Sequence, residues 1–206
     1  MTTAAARAAD EAAPDAAPNR RRLIDGLAVA IRERGYRETT VADIVRHART
    51  SRRTFYAEFS TKDECYVALL YTINAKMRHR IETAVDGAAP WRHQVRQAVE
   101  AYIEAVASEP EIMLSWIREL PALGTVARTV QRENMDSMTE MLLALSDSEV
   151  FRRDGVGPLS RPMALLLLGG IRELTATTVE DGGRIRDLAA IATRAATALL
   201  ASQNTV

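Results

Sequence analysis

Cysteine is almost missing from this chain of 206 residues: Cys65 is the only one. That excludes an intrachain disulfide framework and any multi-cysteine zinc site, and the three histidines, His47, His79 and His93, lack ligand spacing with one another. We therefore expect no metal and no cofactor. No basic, apolar leader opens the chain, so the expected compartment is the cytosol. Long hydrophobic runs are missing too, since the longest, from Met163 to Ile171, falls far short of the roughly 20 residues that span a bilayer. Sustained two-residue alternation is absent, which removes half-buried strands. There is no glycine-flanked nucleophile elbow and no zinc-protease signature, and Gly155-Val156-Gly157 runs into Pro158 and reads as a loop. No motif argues for catalysis, and an enzyme is not expected.

The net charge of zero conceals an asymmetry. From Arg20 to Arg80 there are 14 Lys or Arg against 7 Asp or Glu, and from Ile81 to Val206 there are 12 against 17. A basic module precedes an acidic one, which points to a polyanion at one end only. Lysine is scarce, with Lys62 and Lys76 the only two, so the cations are nearly all arginines, the side chain suited to bidentate phosphate and guanine contacts.

Residues 1 to 18 are alanine-rich, with Pro14 and Pro18, and read as a mobile arm. Beyond them apolar residues recur at helical spacing, as in Leu23, Ile24, Leu27, Ile31 and again in Val95, Val99, Tyr102, Ile103, Val106. The chain is expected to be all-α, with about nine helices at 20–34, 41–48, 52–59, 62–82, 91–107, 110–118, 121–146, 161–179 and 184–202. Thr40 with Asp43 forms a capping box for the second, and Ser51 is an N-cap for the third. Two short helices across a tight turn, within a basic triplet, outline a helix-turn-helix. Arg52, Arg53, Thr54 and Tyr56 would then face bases and phosphates while Phe55 and Phe59, four residues apart, pin the helix to its domain. The fourth helix starts at Lys62, where free N–H groups and an ammonium could meet one phosphate.

The run Thr39-Thr40-Val41-Ala42-Asp43-Ile44, then Ser51-Arg52-Arg53-Thr54-Phe55-Tyr56-Ala57-Glu58-Phe59, then Lys62-Asp63-Glu64, closely resembles the N-terminal domain of TetR-family transcriptional regulators. The likeness covers roughly residues 20 to 70. It implies a homodimer that binds a palindromic operator in double-stranded DNA, as a repressor, and a C-terminal domain that takes a small effector. By residue matching, Thr40, Ser51, Arg52, Thr54, Tyr56 and Lys62 fall on DNA-contacting positions. Two departures stand out. Arg49 replaces a glycine common in the turn, and since a non-glycine in the left-handed region costs about 1–2 kcal/mol, a differently shaped turn is expected. Arg53 replaces a small residue and adds a reading side chain.

The resulting domain plan is an arm at 1–18, a DNA-binding domain at 19–65 and an effector-binding and dimerisation domain at 66–206. The eighth helix is apolar nearly all round and carries Gly169 and Gly170, which favours close approach of another backbone. With the small residues of the ninth helix it reads as a four-helix bundle across a two-fold axis, the expected interface holding Leu167, Gly170, Leu174, Ala192, Ala195 and Leu199. An alternative is that the eighth helix is an ordinary core helix. The cavity implied by the resemblance is expected among helices four to seven, lined by Met77, Tyr102, Met113, Trp116, Ile117, Met138 and Met141, for a small apolar effector that releases the DNA. Cys65 lies in an apolar stripe and reads as a small core residue. Two rivals remain: a helical adaptor whose basic region binds an acidic protein, and a small all-α enzyme, for which Glu104 or Glu173 with a nearby arginine would have to serve.

Overall fold

The computed structural model describes residues 18–202, so the expected arm lies outside the described residues except for Pro18. Ten α-helices occur among the described residues: α1 Pro18–Glu38, α2 Val41–His47, α3 Arg52–Glu58, α4 Lys62–Ala84, α5 Trp91–Ala107, α6 Pro110–Arg118, α7 Gly124–Ser146, α8 Glu149–Arg153, α9 Arg161–Glu180 and α10 Ala189–Ser202. Short 3-10 turns at Leu120–Leu123 and Ile185–Leu188 lead into α7 and α10. No strand occurs among the described residues, and no helix there is long and apolar enough to cross a membrane. The periodic segments all became helices. The five-residue α8 was not expected, because a segment that short shows no period. The heads of the seventh and ninth expected helices are 3-10 turns instead, one of them holding Pro121.

The chain divides into two compact units, Met1–Ile73 and Asn74–Val206. In the first, Leu23, Leu27 and Ile31 of α1 pack in a core with Ile44, Phe55, Phe59, Tyr66 and Leu70, nearly all fully buried. Gly26 is what lets α1 and α2 close up, because a Cβ there would lie 2.7 Å from the Ile44 carbonyl oxygen. The helical geometry of α1 breaks at Gly35 (φ 78°), next to the end expected from the sequence.

In the second unit α5 packs on α10, and α9 packs on α6 and α7. Its core holds Ile103, Val106, Ile112, Leu120, Phe151, Ala164 and Ala176. Pro110 and Pro162 sit in the first turns of α6 and α9, where a missing N–H breaks no helical bond.

Candidate nucleic-acid interface and internal cavity

The turn between α2 and α3 is built by backbone bonds. Thr50 N donates to Val45 O and Arg49 N to Arg46 O, the paired bonds of a Schellman ending, with Arg49 at φ 50°. The expected change of turn shape does not occur. Arg49 takes the left-handed position itself, and the Arg22 guanidinium donates to the Ala48 and Arg49 carbonyls at 2.6 and 2.7 Å. Charge-assisted bonds to those oxygens help offset the strain.

Both helices start as their sequences dictate. Thr40 caps α2: its Oγ1 accepts from Asp43 N at 3.3 Å, and its own N–H donates to Asp43 Oδ2 at 3.0 Å. Hydrogen bonds from the Thr40 hydroxyl and amide, with Arg34 and Arg46 at 3.3 and 3.2 Å, hold the Asp43 carboxyl below its ordinary pKa. Ser51 caps α3, its Oγ accepting from Thr54 N at 3.1 Å. On α3, Phe55 is buried against Phe59, while Arg52, Arg53 and Tyr56 are exposed, with Thr54 intermediate. Arg52 and Arg53 make no hydrogen bond or ion pair with other described residues, so their guanidinium groups remain open to an outside acceptor.

Lys62 stands differently from expectation. Its ammonium donates to the carbonyls of Tyr36 and Thr39 at 2.9 and 2.8 Å and lies 4.2 Å from the centre of the Tyr36 ring, closing the loop between α1 and α2. Tyr36 in turn stacks on Tyr66 at 4.0 Å and donates its hydroxyl to Asp63. Arg20 is likewise engaged, on the Glu58 carbonyl at 2.9 Å and over the Phe59 ring. Part of the basic excess therefore holds the domain together.

The second unit contains a small cavity that is partly open to solvent. Met77, Tyr102, Met113, Trp116, Ile117 and Met138 line it, as expected; Met141 is buried outside this lining. Met135, Leu168 and the polar Asn74, Gln131, Asn134 and Arg172 complete the wall. Sequence reasoning missed all six; for the four polar ones the signal was a polar residue on an otherwise buried helical face. Burial pushes the Tyr102 phenol up to about 12 and lowers the Arg172 guanidinium. A second small cavity is walled almost wholly by apolar groups, among them Val95, Leu142, Phe151, Leu167 and Leu200.

Residues 23–69 match the family model described as bacterial regulatory proteins, tetR family. The N-terminal segment of this chain is thus a tetR-type DNA-binding domain by similarity. A curated relative, the uncharacterized HTH-type transcriptional regulator YhgD of Bacillus subtilis (strain 168), is 22% identical over 134 residues, 65% of this chain and 67% of YhgD. Among solved structures, the transcriptional regulator FadR from Bacillus subtilis, in complex with stearoyl-CoA, superposes with a TM-score of 0.73 at 17% identity, covering 85% of this chain and 96% of FadR. FadR from Thermus thermophilus, a TetR-family repressor in complex with lauroyl-CoA, gives 0.65 at 18% identity, covering 86% and 93%. A regulator from Rhodococcus sp. RHA1 gives 0.73 at 20%, covering 89% and 96%. At these identities the structural likenesses show the fold.

On α9 the chain leaves an apolar stripe uncovered. Leu165, Leu166 and Leu174 are 40, 66 and 40% exposed, and Ile191 of α10 is 45% exposed. Gly170 lies on that stripe with Gly169, and a Cβ at either meets nothing within 4 Å, so no backbone of the same chain crosses there. Ala195 is exposed and Leu199 intermediate. Two expected interface residues face elsewhere. Ala192 is 2% exposed within its own chain, and Leu167 lines the apolar cavity, because both lie on the inner arcs of their helices. The acids weighed for an enzyme are tied in exposed ion pairs: Glu104 with Arg186 at 2.7 Å and Glu173 with Arg118 at 2.9 Å.

Proposed function

We propose that the protein is a transcriptional repressor that binds a palindromic operator as a homodimer and leaves it when a small effector enters the Met-rich cavity. Helix α4 carries the reading: Lys62–Ala84 is one continuous helix whose first residue locks the helix-turn-helix domain and whose Asn74 and Met77 line the cavity. A ligand that displaces Asn74 or Met77 acts on the element that begins at Lys62. The exposed face of α3 and its Ser51 cap supply the reading groups, with Arg52 and Arg53 offering bidentate donors to guanine and the Ser51, Thr54 and Tyr56 hydroxyls meeting phosphate, while the Thr40 hydroxyl stays committed to Asp43.

The dimer would form on the uncovered stripe of α9, through Leu165, Leu166, Gly170 and Leu174, with Ile191, Ala195 and Leu199 of α10. The two FadR proteins were solved with stearoyl-CoA and lauroyl-CoA, which supports a ligand with an apolar body in a domain of this fold. The test is to mix the purified protein with a pool of random duplexes, recover the bound fraction and sequence it. Enrichment of a two-fold symmetric motif with half-sites about one helical turn apart, or a multiple of that, is expected. Recovery without sequence preference would favour the adaptor reading and overturn this one.

A further inference from the structure

The Met-rich cavity is not matched to an apolar guest. Arg172, on α9, lines it with its guanidinium making one long hydrogen bond, 3.4 Å to the Ile117 carbonyl, and no ion pair with any described residue. The neighbouring acids are taken elsewhere: Arg118 binds Glu173 through Nη1 and Nη2 at 3.0 and 2.9 Å and Glu180 through Nε and Nη2 at 2.7 and 2.9 Å. Arginine stays protonated in proteins, so a partly buried charge here has no carboxylate of the described residues paired with it, although Glu173 acts on it through space.

Two further observations point the same way. Asn134, 3% exposed, lines the same cavity and its Nδ2 donor has no partner, and Asn74, 4% exposed, has an unpartnered Oδ1. The Tyr102 hydroxyl, a third donor in the lining, makes no hydrogen bond to a described residue. Buried polar groups are nearly always paired, so two orphans in one cavity mark a missing partner. The lining also holds Met77, Met113, Met135, Met138 and Trp116, soft groups that suit a hydrocarbon or aromatic body.

Resting on the reading of this cavity as the effector site, we infer that the effector is an organic monocarboxylate, its carboxylate held by Arg172, Asn134 and Tyr102 and its apolar body against the methionines. A carboxylate matches a guanidinium in a bidentate fork, which neither a neutral hydrocarbon nor an amide can do. A thioester of the FadR ligand kind brings no carboxylate at its acyl end. Asn74 is left to accept from a ligand O–H or N–H.

The test is calorimetric titration of the full chain with octanoate, 4-phenylbutyrate and phenylacetate, each beside its primary amide and beside octanoyl-CoA. At least one acid is expected to bind with its amide about 10- to 100-fold weaker, the order expected when a polar contact goes unmade. Arg172→Gln should erase that preference, and Arg172→Lys should keep it at lower affinity, with unchanged circular dichroism melting showing that both fold. Equal binding of acid and amide, a preference that survives Arg172→Gln, tighter binding of octanoyl-CoA than of every acid, or no saturable acid binding would each overturn the inference. Repeating the titration with captured operator present separates the two claims. An acid that binds Arg172 yet leaves operator affinity unchanged sinks the regulator reading alone, whereas an amide that binds as well as its acid and releases the operator sinks only the carboxylate.

Discussion

Replacing Lys62 with methionine distinguishes a structural lysine from a phosphate contact. The ammonium makes two hydrogen bonds, to Tyr36 and Thr39 carbonyls at 2.9 and 2.8 Å, and a cation–π contact with Tyr36. Bonds to a charged group contribute roughly 1.5–3 kcal/mol each, and a partly exposed cation–π pair about 0.5–1. Lys62 is only half-buried, so water replaces part of what is lost, and the net destabilisation should be about 2 kcal/mol. With a urea slope of about 1–3 kcal/mol per molar, the midpoint of the N-terminal unit should fall by roughly 1 M, followed by far-UV circular dichroism. Operator affinity should weaken, while the slope of log affinity against log salt stays put because no phosphate contact has gone. A phosphate-binding Lys62 makes the reverse prediction, with an unmoved midpoint and a slope smaller by about 1. That result would refute the structural role.

Other expectations are independent of that one. Leu166→Glu, on an exposed position, should fold normally yet run as a monomer in light scattering, whereas Leu167→Glu puts a carboxylate into an apolar wall and should unfold the chain; a folded Leu167→Glu monomer would reverse the assignment of the two faces. Arg52→Ala and Arg53→Ala should change which bases are enriched in captured duplexes without altering the melting curve, and an unchanged motif in both would remove α3 as the reader. Asp43 has a folded pKa below 3.8, so its contribution is present above that value and lost as pH falls through the folded pKa; Asp43→Asn should flatten acid unfolding of the N-terminal unit, and an unaltered acid limb would contradict this. Burial pushes Cys65 up to about 12, so a thiol reagent at neutral pH should label it only in denaturant, and rapid native labelling would show that α4 opens.

The legible parts of the sequence were those decided by neighbours along the chain. Helical periodicity, the Thr40–Asp43 box and the Ser51 cap act within a few residues, and each appears where its residues dictate. The same holds for six of the seven expected cavity residues, because methionine and tryptophan on buried arcs of adjacent helices converge. Illegible were choices made by distant partners. That Lys62 would turn to Tyr36 and Thr39, that Arg22 would steady the left-handed Arg49, and that Gly26 would admit Ile44 depend on contacts far apart in sequence. On α9 and α10 the amphipathic pattern was too weak to assign faces, since apolar residues lie nearly all round, and Leu167 of α9 and Ala192 of α10 were therefore placed outward when their arcs face inward. Arg172 reads in sequence as one more surface charge. Only the engagement of Glu173 and Glu180 by Arg118 reveals that it lacks a partner.

The central claim is sequence-specific DNA binding by a symmetric dimer, and it meets its most direct test in anisotropy titrations of a captured palindrome and a shuffled duplex of the same composition across a range of salt. The account predicts two chains per palindrome, a steep fall of affinity with salt for both duplexes, and a preference for the palindrome of about 10³-fold or more. Equal affinity for the two duplexes, or one chain bound per site, would contradict it.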